Sequence, residues 1–278
     1  MTRTADTALL FPGQGSHTEG MREDVERVLP DLLELALEVV GDDPFARAAE
    51  STRFAQPAIF CATVAALPAG YDGVGWMAGH SLGEFAALVA AGSLAAEDGL
   101  RLVAVRGRLM DETAGGDGTM LAVIGGDASE MAGEIALESG SFVANSNAPN
   151  QVVLAGSEQA TKTASRVARS RGLRAIQLPV RGAFHSPLMA SARAPFEAAL
   201  GETEFLPPRI PVISSITAEP FDHIRLRLAE ALTRPVRWRE TLESIAARGA
   251  TRFVEVGPGE VLTGLVRRTL PEVEAAHV

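Results

Sequence analysis

The sequence predicts an α/β fold: a largely parallel sheet covered by helices, interrupted by a small inserted subdomain. Three observations carry that reading. Strand-like and helix-like segments alternate along most of the 278 residues, the pattern that builds parallel sheets through helical crossovers. One stretch, 117–179, breaks the rhythm with the order βαββαβ, the split unit of ferredoxin-like domains. The pentapeptide Gly79-His80-Ser81-Leu82-Gly83 fits the Gly-x-Ser-x-Gly nucleophile elbow, the strand-turn-helix corner of α/β-hydrolase-like sheets. The expected large domain is therefore discontinuous, 1–116 with 180–278, around a 117–179 insertion.

The elements follow in order. Residues 8–11 form a short apolar strand that ends in the glycine turn Pro12-Gly13-Gln14-Gly15-Ser16. Apolar spacing predicts helices over 29–40 and 57–67. Val74, Trp76, Met77 and Ala78 read as a short buried strand entering the elbow, and 84–91 as a helix stopped by Gly92. A longer helix is expected over 96–113. After Gly115-Gly116-Asp117-Gly118 comes the insertion: strand 119–124, helix 128–139, strands 141–145 and 151–155, helix 158–170 and strand 173–178. The middle strands flank the turn Asn147-Ala148-Pro149-Asn150. Residues 209–215 and 251–256 read as returning strands, the second followed by Gly257-Pro258-Gly259.

Composition narrows the function classes. Hydrophobic residues at 46% with 22% charged describe a globular chain able to bury a full core. No apolar run approaches the roughly 18 residues of a membrane span, and the start lacks a signal-peptide core. One cysteine, Cys61, excludes an internal disulfide framework and a cysteine-based zinc cluster; its apolar helical surroundings make it a small buried hydrophobe. A cytoplasmic protein without a membrane or metal partner is expected. The net charge of −10, with no Lys/Arg run, argues against a nucleic-acid partner. Arginines cluster late in the chain (Arg225, Arg227, Arg234, Arg237, Arg239, Arg267, Arg268). They read either as a salt-bridged surface or as a local basic rim for an acidic partner.

A serine nucleophile needs a base, and five histidines are available. His277 lies in the tail and His223 in a polar stretch. His80 adjoins Ser81, but consecutive residues at an elbow point in different directions. His185 sits in a loop bounded by Gly182 and Pro187, the kind of segment that carries function on a rigid scaffold. Taken alone it also reads as a structural histidine.

Five stretches, in this order, bear on the choice. They are Leu9-Leu10-Phe11-Pro12-Gly13-Gln14-Gly15-Ser16, Gly79-His80-Ser81-Leu82-Gly83-Glu84, Arg106-Gly107-Arg108-Leu109-Met110, Gly182-Ala183-Phe184-His185-Ser186-Pro187-Leu188-Met189 and Glu255-Val256-Gly257-Pro258-Gly259. Through them nearly the whole chain resembles the malonyl-CoA:acyl carrier protein transacylase family, the acyltransferases of fatty-acid and polyketide synthesis, whose fold carries a ferredoxin-like insertion. The resemblance implies Ser81 as nucleophile and His185 as its base, with a backbone carbonyl near Ala231 orienting the imidazole. The family often has glutamine at that position; a backbone oxygen survives the change. It implies an oxyanion hole from the N–H groups of Gln14 and Leu82. It assigns Arg106 to the free carboxylate of the acyl group, a planar anion that suits the guanidinium fork, although Arg101 and Arg108 lie close enough for a register shift. Gln56 and Asn145 match pocket residues. Phe184, the bulky residue before the histidine, is implied to favour malonyl over α-methylated groups, and also reads as core.

The implied reaction is ping-pong: malonyl-CoA acylates Ser81, and the phosphopantetheine thiol of an acyl carrier protein takes the group. The CoA thioester is a substrate, no cofactor is implied, and a monomer is expected. Three rivals stay open: a hydrolase on the same elbow, an idle carrier-docking protein, and a transferase for another acyl-CoA. A phosphate-binding reading of Gly13-Gln14-Gly15 lacks the Lys-Ser/Thr that such a loop requires. The stretch between Gly41 and Gln56 is shorter than in many members of the family, a change at the entrance rather than in the chemistry.

Overall fold

The computed structural model describes residues 5–114 and 116–278. Residues 1–4, in the leading stretch, and 115, in the turn expected to open the insertion, lie outside the described residues. In chain order, β1 (Thr7–Phe11) is followed by α1 (Met21–Val28), α2 (Pro30–Val40) and α3 (Thr52–Ala65). Next come β2 (Val74–Gly79), α4 (Gly83–Ala90) and α5 (Ala96–Thr113). β3 (Gly118–Ile124), α6 (Ala128–Ser139), β4 (Phe142–Ala148), β5 (Gln151–Ser157), α7 (Glu158–Ser170) and β6 (Arg174–Gln177) form the βαββαβ unit. The chain returns through a 3₁₀ turn (Pro187–Met189), α8 (Ala190–Gly201), β7 (Val212–Ile213) and α9 (Ile224–Glu230). It ends with α10 (Trp238–Ala247), β8 (Arg252–Glu255), α11 (Val261–Thr269) and β9 (Glu274–His277).

Two sheets result. The larger has the order β7-β2-β1-β8-β9, parallel throughout. β1 lies at its centre, and its Ala8, Leu9, Leu10 and Phe11 are all buried, the continuous apolar run of a strand covered on both faces. Period two divides those residues between two cores. Leu9 and Phe11 join the large cluster with α3, α4 and α5, while Ala8 and Leu10 join Trp238, Leu242 and Phe253 behind the sheet.

The smaller sheet is antiparallel, with the order β4-β5-β3-β6, the ferredoxin-like arrangement. Leu121, Val123, Val152 and Leu154 face α6 and α7. The alternate residues Met120, Val153 and Ala155 belong to the large cluster. The inserted unit thus has a core of its own on one face and shares the main core on the other.

Several elements differ from the sequence-based expectation. α3 starts at Thr52 rather than at Pro57, which lies inside the helix. A proline is at home in a first turn, but the apolar residues before it are just as buried, and burial carries the helix through. β4 runs past Asn145 to Ala148, because Ser146 and Ala148 still pair with Val152 and Gln151; the turn shrinks to Pro149 and Asn150. β7 is two residues long, since Pro211 has no N–H to donate and the turn at Ser214 follows at once. The tail 274–277 is a strand that pairs parallel to β8.

Cys61 is fully buried, and burial pushes its thiol up. The late arginines are mostly paired. Arg227 meets Asp222 and Glu230, Arg234 also meets Glu230, Arg237 meets Glu240, and Arg239 meets Glu243. Arg225 and Arg267 donate to backbone carbonyls. The salt-bridged surface, rather than a free basic rim, describes this cluster. Among the described residues no helix is long and apolar enough to cross a membrane.

Candidate active site

The corner after β2 is built by close backbone approach. A Cβ on Gly79 would lie 1.9 Å from the Gly83 carbonyl carbon, and one on Gly83 would lie 2.0 Å from the Phe11 oxygen. Only glycine fits either position. Ser81 between them takes φ 55°, a left-handed conformation costly for a residue with a side chain and typical of functional turns. The His80 N–H donates to the Phe11 carbonyl at 2.9 Å and the Gly83 N–H to the His80 carbonyl at 3.0 Å. The elbow is thereby fastened to the end of β1.

His185 faces Ser81, with Nε2 2.8 Å from Ser81 Oγ. Its φ of 56° is also left-handed. Its Nδ1 lies 2.7 Å from the Ala231 carbonyl oxygen. Ala231 is the C-cap of α9, where helix geometry leaves carbonyls without partners inside the helix. A carbonyl can only accept, so Nδ1 carries the proton and Nε2 presents its lone pair to the serine. Burial, reinforced by the Arg106 charge, pulls the His185 pKa down to about 3. The imidazole is neutral throughout the physiological range.

Arg106, on α5, is 2% exposed. Its Nη2 donates to Ser81 Oγ at 2.9 Å and its Nη1 to Gln56 Oε1 at 2.8 Å, while Gln56 Nε2 reaches Met110 Sδ at 3.2 Å. Burial lowers its pKa to about 10, with Glu84 opposing, so it stays a cation at neutral pH. Among the described residues its hydrogen-bond acceptors are a neutral amide and a hydroxyl; no carboxylate is within ion-pair distance. Glu84, also buried, accepts from the Ser215 N–H at 2.7 Å. Burial pushes its pKa up to about 7 against the pull of that N–H and of Arg106. Arg108 turns outward to Glu112 and Arg101 is exposed, so Arg106 is the arginine at the serine.

The remaining candidates lie around this centre. Leu82 is the N-cap of α4, where the first backbone N–H groups have no acceptor within the helix. The turn bearing Gln14 presses on the elbow, since a Cβ at Gly13 would lie 2.5 Å from the His80 oxygen. The Gln14 side chain bonds Thr52. Phe184 is buried in the main core, its ring edge against Gly182 near Ala114. Asn145 is buried in β4, where it bridges Val236. Its neighbour Asn147, which no motif singled out, is the one that reaches the elbow, with Oδ1 2.9 Å from His80 Nε2. Glu84 stood in a quoted stretch without a role. Only its burial beside the arginine marks it.

A neutral histidine, a strained serine and a buried cation at one point suit attack on an acyl group that carries a negative charge. Comparison with known proteins agrees with acyl chemistry. Residues 9–278 match the family model described as acyl transferase domain. The polyketide biosynthesis protein ThaF of Burkholderia thailandensis is 41% identical over 97% of this chain, which spans only 24% of that relative. The malonyl CoA-acyl carrier protein transacylase of Bacillus subtilis is 36% identical over 94% of this chain and 89% of its own length. The crystal structure of an acyl carrier protein S-malonyltransferase from Vibrio cholerae superposes with a TM-score of 0.90 at 35% identity, covering 98% of this chain and 96% of that one. With residues 9–278 matched by its model, this chain belongs to the acyl transferase domain family.

Proposed function

We propose that the protein transfers a malonyl group from malonyl-CoA to the phosphopantetheine thiol of an acyl carrier protein, through a covalent ester on Ser81. The observation that carries this reading is Arg106, a buried guanidinium with no carboxylate partner among the described residues, hydrogen-bonded to the reacting hydroxyl. A cation so placed is incomplete until an anion arrives, and the free carboxylate of a malonyl thioester supplies one that fits the fork. The names of the Bacillus and Vibrio relatives support the same substrate and acceptor.

In the first half-reaction Ser81 Oγ attacks the thioester carbonyl while its proton passes to His185 Nε2. The Gln14 and Leu82 N–H groups receive the oxyanion. The C–S bond then breaks, and the imidazolium returns the proton to the CoA sulfur. In the second half the carrier thiol gives its proton to His185 and attacks the ester, and Ser81 recovers its hydrogen. The Ala231 carbonyl keeps the imidazole in the required tautomer. Gln56 steadies the guanidinium, and Asn145 sits where β4 of the inserted unit, 117–179, meets Val236 of the large domain, 1–116 with 180–278, and serves as a pocket residue. Phe184 limits space at the α-carbon, which favours malonyl over methylmalonyl by about 1–3 kcal/mol, the worth of one methyl. The protein acts as a cytoplasmic monomer without a cofactor.

The test is intact-protein mass spectrometry after brief mixing with malonyl-CoA, acetyl-CoA or methylmalonyl-CoA, followed by carrier protein. A malonyl adduct on the wild type, absent from Ser81→Ala and discharged by the carrier, is expected. Steady CoA release without an adduct would identify a hydrolase. Neither adduct nor release would leave a docking protein or a different donor.

A further inference from the structure

The guanidinium that awaits the substrate carboxylate is bonded, in the free protein, to the nucleophile itself. Ser81 Oγ gives its hydrogen to His185 Nε2 and accepts one from Arg106 Nη2. The other terminal nitrogen is held by Gln56. A bidentate carboxylate that docks across the Nη1–Nη2 edge takes one N–H from each of the two nitrogens that now bond Ser81 and Gln56. The substrate anion therefore competes with Ser81 for the same guanidinium charge, while Gln56 can keep its hold on Nη1 through the second N–H of that nitrogen.

We propose that Arg106 is a latch on Ser81, released by the carboxylate of the correct substrate, so that selection acts on the reactivity of the nucleophile as well as on binding. The inference rests on the functional reading above. While latched, the hydroxyl oxygen donates electron density into a charge-assisted hydrogen bond and has one lone pair fewer for attack. The guanidinium also occupies space beside the serine that an acyl chain must enter. A carboxylate draws both terminal nitrogens to itself and leaves Oγ bonded only to the base. It has a second effect in the same direction. The Arg106 charge is among the forces that keep His185 neutral, and an anion on Arg106 offsets it at the step where the imidazole must accept a proton. An acyl group without a carboxylate does neither. It meets a serine still held by the arginine.

A neutral probe separates this latch from ordinary substrate binding. Methanesulfonyl fluoride modifies serine with formation of an O–S bond and loss of fluoride, the hydroxyl proton passing to His185; it is neutral and carries no carboxylate to pair with Arg106. Its rate on Ser81 is read by intact mass. Labelling of Arg106→Gln is expected to be about tenfold or more faster than that of wild type, from loss of one charge-assisted hydrogen bond. In wild type, sodium formate, a carboxylate small enough for the fork, is expected to accelerate labelling over sodium chloride at equal ionic strength, with no effect on Arg106→Gln. Equal or slower labelling of the variant, or formate that leaves wild type unchanged or protects it, overturns the latch. Should the variant not fold, the formate comparison on wild type decides alone. Failure here with a malonyl adduct still formed on Ser81 removes the latch only, whereas absence of that adduct removes the functional reading as well.

Discussion

Ser81 and His185 both hold left-handed backbone conformations, at φ 55° and 56°, and they meet each other through a 2.8 Å hydrogen bond. Two strained residues in contact are kept only where the surroundings over-determine them; here the elbow glycines and the Ala231 carbonyl do so. Burial of ionisable groups at this centre gives stability two opposing pH dependences. Between its ordinary pKa of 6.5 and about 3, unfolded His185 binds a proton that the folded protein refuses, so stability falls as the pH drops through that window. Between 4.5 and about 7, folded Glu84 keeps a proton that the unfolded chain has lost, so stability falls as the pH rises. Glu84→Gln keeps an oxygen for the Ser215 N–H and removes the second slope. Its urea midpoint relative to wild type is expected to be clearly higher at pH 8 than at pH 5; an offset equal at both values would show that Glu84 ionises normally. The serine, histidine and Arg106 were legible in the sequence because each lies in a short, distinctive stretch. Asn147 and Glu84 were not, because the role of each comes from a partner 67 or 131 residues away.

At the scale of the element, the β2–α4 corner has no slack. Gly79→Ala would force a Cβ to 1.9 Å from the Gly83 backbone, and neither segment can move without displacing Phe11 or Ser81. A loss of about 3 kcal/mol or more is expected, read as a large fall in Tm or failure to fold. Gly133 is the contrast. It is exposed within α6 and a Cβ there meets nothing within 4 Å, so Gly133→Ala is expected to raise stability by about 0.5–1 kcal/mol. No gain in Tm would show that this helix interior tolerates glycine without cost. Elements with strong periodicity, such as α5 and the βαββαβ unit, were evident from the sequence. β7 was expected as a strand over 209–215 but is cut to two residues, Val212–Ile213, by a proline and a turn; β9, Glu274–His277, was not evident, since it has no β-branched residue. Pairing with a neighbouring strand makes them strands, and pairing is not written locally.

Across the whole molecule, the inserted sheet is attached by more than apolar contact. The Val236 N–H donates to the Ala144 carbonyl at 2.9 Å, and the Val236 carbonyl accepts from the Ser146 N–H at 2.8 Å. These bonds strap β4 to the segment between Ala231 and α10. Asn147 then reaches from the same strand to His80. Asn147→Ala is expected to cost about 1–3 kcal/mol by leaving His80 without that partner, and to slow acylation of Ser81 while the protein stays folded; full acylation rate would make Asn147 a purely structural tie. The strap also turns two ordinary amides into a clock. If the cleft admits a carrier by parting the two sheets, the Ser146 and Val236 amide hydrogens exchange with solvent on the timescale of that local opening. If the two sheets stay together, those amides are expected to exchange far more slowly, at a rate that the presence of a carrier leaves unchanged.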